Sequence, residues 1–110
     1  LDLNPELRTL YNLTWMDLSV HQARELRRAA SSSPDGGSDA SWQMLVLAEA
    51  CLEAMEREAT TPAPLRPGLL QAAAALRAGD SDGAEEIIDA LRDQCILLNR
   101  ARTISIQAIV

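Results

Sequence analysis

Ser41-Trp42-Gln43-Met44-Leu45-Val46-Leu47-Ala48-Glu49-Ala50-Cys51-Leu52-Glu53-Ala54-Met55-Glu56 is the stretch that decides the fold. It has no Gly or Pro, is rich in Ala, Leu, Met and Glu, and is far longer than a strand. A helix is expected over 41–59. Only Gln43, Glu49, Glu53 and Glu56 form a polar strip, and a helix apolar over most of its circumference is buried on several sides. A chain of 110 residues is too short to wrap such a helix completely. Either it is central to a bundle or part of its surface meets a partner. Leu45, Leu52 and Met55 share one side, while Leu47 and Cys51 lie round towards another.

Composition supports helix everywhere else. The apolar set is Ala and Leu with no Phe, one Tyr and two Trp, and all ten basic residues are Arg. An Ala- and Arg-rich chain without Lys is what a GC-rich bacterial genome would encode. The net charge of −6 argues against a nucleic-acid or anionic-lipid partner, both of which need concentrated positive charge. No apolar run approaches the roughly 20 residues of a membrane span, and no signal peptide is legible. Residues upstream of Leu1 are left open, and a cytoplasmic location is expected. Cys51 and Cys95 are not spaced as a redox or metal CxxC pair and read as small core residues, the alternative being a disulfide between two helices.

Towards the N-terminus, Asn4-Pro5-Glu6 is a helix start, with Asn as cap and Pro at the first helical position. Leu3, Leu7, Leu10, Tyr11, Thr14 and Leu18 follow at helical spacing as the expected apolar stripe. Ser19-Val20-His21-Gln22 fits a capping box, so residues 5–30 are either one helix or two bent near Ser19. In the second half Ala23, Leu26 and Ala29 are the only apolar line. Residues 31–40, rich in Ser and Gly, are expected to be a flexible loop between this 1–30 unit and a 41–110 core, all within one domain.

Towards the C-terminus, the prolines of 60–67 predict an extended connector. A short helix is expected over 68–78, closed by Gly79 as C-cap. Asp82-Gly83-Ala84-Glu85 reads as a capping box opening a last helix whose stripe is Ala84, Ile87, Ile88, Leu91, Cys95 and Leu98. The stretch 69–91, with Ala-Leu-Arg-Ala-Gly-Asp at its middle, resembles the turn of a tetratricopeptide helical hairpin. The aromatic packing positions are absent and there is no second copy, so the resemblance implies a helical hairpin only. Residues 103–110 alternate like a strand, yet Leu97, Ala101, Ile104 and Ala108 continue a helical stripe. The expectation is an all-α antiparallel bundle of four to five helices, the second and fourth central, with a packed tail that is helical or a short strand.

Chemistry is sparse. His21 has no nucleophile or orienting acid near it in sequence. The acids of the second and fourth helices lack the Glu-x-x-His pairs of di-metal bundles, and Asp80-Ser81-Asp82-Gly83 lacks most ligands of a calcium loop. No catalytic residue, metal or cofactor is expected. The leading expectation is a protein–protein interaction module, of the kind a small bacterial adaptor, secretion chaperone or regulator would be, acting as a homodimer. Its surface would comprise Trp42, Met44, Leu47 and Cys51 with Ile104, Ile106 and Ile109 of the tail. Alternatives are a small-molecule binder or minor enzyme with a pocket around Trp42, Met44 and Met55, and a nucleic-acid regulator using Arg24, Arg27 and Arg28.

Overall fold

The computed structural model describes residues 4–30 and 38–109, and side chains for 4–29 and 40–104. Four helices account for nearly all of them: α1 (Pro5–Ala30), α2 (Ser38–Arg57), α3 (Arg66–Arg77) and α4 (Ser81–Ile109), with one 3-10 turn at Ala63–Leu65. There is no strand among the described residues, so the tail is helical through Ile109. Most of the expected 31–40 loop and Val110 lie outside the described residues, but 38–40 already belong to α2.

The chain is an up-down-up-down bundle closed into a ring. α1 packs on α2 and α4, and α3 packs on the same two. No helix is central. The expectation that α2 and α4 would be surrounded is therefore corrected, and every helix keeps an outer face. The inward positions are Thr9, Leu13, Met16, Val20 and Ala23 on α1, and Ser41, Leu45, Ala48, Leu52 and Met55 on α2. α3 adds Leu69, Ala72, Ala73 and Leu76, and α4 adds Ala84, Ile88, Leu91 and Cys95. On α1, α2 and α4 the inward positions alternate steps of four and three, the seam that nearly antiparallel helices share. The alanines let α3 lie close, and Gly68 lies closer still. A Cβ there would sit 2.5 Å from Leu91 Cδ2.

The expected stripe on α1 is wrong by part of a turn. Tyr11 and Leu18 are exposed, while Leu13, Met16 and Val20 are buried. α1 carries two apolar lines, and only the one through Val20 and Ala23 runs far enough to meet both neighbours. The same continuity removes the bend at Ser19. Its hydroxyl donates to the Trp15 carbonyl at 2.9 Å, a bond within a continuing helix, rather than capping a new one.

Asn4 does cap α1. Its Oδ1 accepts from the Leu7 N–H at 2.8 Å, and its Nδ2 donates to Asn99 Oδ1 on α4 at 3.0 Å. α3 ends in a Schellman motif. Gly79 has φ +81, its N–H donates to the Leu76 carbonyl at 3.0 Å, and the Asp80 N–H to that of Ala75 at 2.8 Å. The α4 cap is Asp80, not Asp82, because Asp80 Oδ1 accepts from the Gly83 N–H at 2.9 Å. The Schellman turn delivers Asp80 one residue before the helix, and Asp82 is already inside its first turn. The proline connector is compact rather than extended. Arg66 is helical (φ −59, ψ −47) although Pro67 follows it, because Leu65 is fully buried and the Arg66 guanidinium is held at the end of α2.

Candidate functional site: an apolar groove between the first two helices

Where α1 and α2 meet, the inward seam is filled but the outer edge is not. Met16, Ala48 and Met55 form the floor of a cavity of about 410 Å³, Trp15 of α1 stands on one bank, and Leu47 and Cys51 of α2 stand on the other. Ala48 and Ala54 both line the void and are too small to close it. Further along the same seam a second depression of about 410 Å³ lies between Met44, Gln22, Glu25 and Leu26. Met44 borders both.

The banks are large and wet. Trp15 is 56% exposed and Leu47 65%. Tyr11 stands edge-on to Trp15, with ring centroids 6.2 Å apart at 71°, and Leu18 is half exposed beside them. The expected interaction residues therefore separate. Met44, Leu47 and Cys51 line the groove. Trp42 is exposed and does not line the groove, so the pocket expected around Trp42, Met44 and Met55 holds only the two methionines. Ile104 is exposed on α4 far away, and the side chains of Ile106 and Ile109 lie outside the described residues. Cys51 is on the surface, which corrects its reading as core, whereas Cys95 is buried and both are free thiols. Trp15 is the tryptophan that matters here. Its spacing of four after Tyr11 and three before Leu18 was the available signal, obscured because those two neighbours read as core.

The seam between α1 and α4 is polar instead. Arg24 bonds Glu85 and also Asp82, the latter at 2.8 Å, and His21 Nδ1 lies 3.4 Å from Glu85. Arg102 meets Glu6 at 2.8 Å. Arg27 Nε donates to the buried Ser41 hydroxyl at 3.3 Å, and Arg28 pairs with Glu25. The arginines suited to a phosphate backbone are thus each engaged within the chain. Glu49 and Glu53 are both bound by Arg77. Among the described residues no three potential ligands cluster as a metal would require, and no helix is long and apolar enough to cross a membrane. Burial, with the Glu6 charge nearby, pushes the Cys95 thiol pKa up. Its S–H donates to the Glu6 carbonyl at 2.8 Å, so it is a packed and poorly nucleophilic group.

One carboxylate in this seam is strained electrostatically. Asp17 takes Arg92 Nη1 at 3.0 Å, but Arg92 also lies 3.6 Å from Asp89. Asp17 Oδ1 and Arg92 Nε are buried without a hydrogen-bond partner among the described residues. Burial, then a proton-sharing contact with Asp89 and its charge, push the Asp17 pKa up to about 6 despite Arg92. Because the folded-state pKa exceeds the unfolded value of 3.8, the folded state binds the proton more tightly. Stability should rise as pH falls from about 6 towards 3.8, and the cost is complete above 6. Asp17→Asn is expected to stabilise the protein by about 1–3 kcal/mol at neutral pH and to flatten that rise. Thermal melts of both proteins across this range would show it; a wild-type melting temperature that falls on acidification would contradict it.

No protein-family model, curated protein or solved structure matches the chain.

Proposed function

We propose that this chain is a protein–protein interaction module that works as a homodimer and whose α1/α2 groove receives the apolar face of a helix from a partner protein. The supporting observation is the groove itself, with its apolar floor and the exposed banks of Trp15 and Leu47. Side chains of this size left in water each forgo roughly 1.5–3 kcal/mol of burial, and contiguous apolar patches on soluble domains mark interaction sites. A slot between two helices matches helix-in-groove recognition, in which anchors at helical spacing enter successive depressions. Met16, Met44 and Met55 suit such a role, since thioethers repack around different anchors. Composition fits a bacterial cytoplasmic adaptor, secretion-chaperone-like or regulatory protein. A second reading is favoured by volume alone, because 410 Å³ would also hold a small apolar molecule.

Tryptophan fluorescence in a Trp42→Phe background separates the two. Trp15 is then the sole reporter. A tryptophan-free amphipathic Leu/Gln helical peptide, titrated at high salt, is expected to shift its emission to the blue with saturable binding. Leu47→Glu should weaken that binding at least about tenfold, equivalent to 1.4 kcal/mol. A shift with a fatty acid or a hydrophobic dye, but none with the peptide, would favour the small-molecule reading; no saturable shift with any of these would sink both.

A further inference from the structure

On α4 the inward positions leave an opposite face that neither α1 nor α3 can reach. That face carries Leu97 and Ile104, 62% and 65% exposed, with the exposed alanines Ala90 and Ala101. Residues 90, 97 and 104 recur every seven, and Ala101 falls four after Leu97. This spacing gives a nearly straight seam, of the kind helices use to pair. Beyond Asn99, which meets the start of α1 through Asn4, α4 runs on for ten residues to Ile109, about 15 Å at 1.5 Å per residue. The backbone of α4 therefore runs on past the start of α1, beyond the Arg102–Glu6 ion pair.

Its flank carries the second observation. Asp93 and Arg100 are both exposed, seven residues apart and hence on the same side of the seam. Neither has an ion pair among the described residues, although most arginines of this chain do. When two identical helices pair antiparallel about a twofold axis, each flank faces the same flank of the other. The midpoint of 93 and 100 lies next to Leu97. An axis there brings Arg100 of each copy to Asp93 of the other, packs Leu97 beside its own equivalent, and lays Ile104 over the second copy's Ala90. A parallel pairing would set opposite flanks together and leave all four charges unmatched.

We infer that the α4 face is where two copies of this chain pair, antiparallel, about an axis beside Leu97. This rests on the homodimer of the proposed function and assigns its interface. No residue lining the α1/α2 groove is on α4, so the pairing leaves the groove open to a different partner. Two sites then exist on one small domain: self-association on α4 and recognition between α1 and α2.

Charge reversal tests the register. Wild type is expected to sediment as a dimer at tens of micromolar, where a micromolar dimer is well populated. Asp93→Arg and Arg100→Asp should each weaken it at least about tenfold, because every cross-pair becomes a like pair. Mixed in equal amounts, the two variants should form a heterodimer, since one chain then presents two arginines and the other two aspartates. Circular dichroism of each variant should remain helical, both sites being exposed. A monomeric wild type, single variants as dimeric as wild type, or a mixture that stays monomeric would each overturn the inference. Peptide binding in the groove should be unchanged in Asp93→Arg, so failure of either site is read independently of the other.

Discussion

Leu52→Glu is expected to leave the chain unfolded at 25 °C, whereas Leu47→Glu, five residues earlier on the same helix, is expected to melt within a few degrees of wild type. Leu52 has no solvent exposure and sits in the middle of α2's inward seam, between Ala48 and Met55. Replacing it removes roughly 2–3 kcal/mol of apolar burial. It also introduces a carboxylate that must be desolvated without a partner, at a further cost of several kcal/mol. A domain of this size has about 5–15 kcal/mol in total, so the two terms together consume most or all of it. Leu47 is 65% exposed, and a surface substitution of that kind changes stability by about 0.5 kcal/mol or less. Far-ultraviolet circular dichroism with thermal melts decides both. A folded Leu52→Glu protein would mean that α2 can rotate its seam out of the bundle, and an unfolded Leu47→Glu would mean that the groove bank is structural.

Arg66→Ala should cost about 2–4 kcal/mol, large for a residue that is not in the core. The last carbonyls of a helix have no partners within it and carry the negative end of its dipole. Here the Arg66 guanidinium donates to the carbonyls of Glu56 and Glu58, the second at 2.8 Å, and to those of Thr61 at 3.2 Å and Ala59 at 3.5 Å. The Thr61 hydroxyl adds a bond to the Met55 carbonyl at 2.6 Å. One side chain at the start of α3 thus closes the end of α2 and folds the proline connector around itself. Charged hydrogen bonds contribute about 1.5–3 kcal/mol each before shared losses, and the partly buried acceptors would be left unmatched. Lys at this position should recover only part of the loss, because a single ammonium cannot span carbonyls arranged for a planar fork. A drop in melting temperature of roughly 10 °C or more for Arg66→Ala is the expected reading. A drop within a degree or two would show that water satisfies those carbonyls equally well.

How much of this was legible varies element by element. The caps at Asn4 and Gly79, the inward stripe of α4, and the division of α2 into a buried Leu45–Leu52–Met55 side and an exposed Leu47–Cys51 side all follow from local chemistry and periodicity. The groove was legible on one bank only. Leu47 and Cys51 were identified by the excess of apolar positions on α2, but Trp15 was not, since α1 offers two apolar lines of similar strength. Trp42 and Trp15 are both exposed, and nothing local to either shows which one faces the neighbouring helix.

The sequence by itself determines that this chain is helical, where α1 starts and α3 stops, and that part of the apolar surface of α2 is left over once its inward side is packed. Those outcomes rest on propensity, capping and turn chemistry acting over a few residues, which no distant contact needs to arbitrate. Tertiary structure alone decided which line of α1 turns inward, that Ser19 bonds back into a continuing helix, and that the proline connector curls beneath Arg66. It also decided that small Ala48 and Ala54 open a groove against Trp15. Each of these is a choice between local options of nearly equal energy, settled by whether the neighbouring helix supplies a matching seam, an orphan carbonyl or a gap.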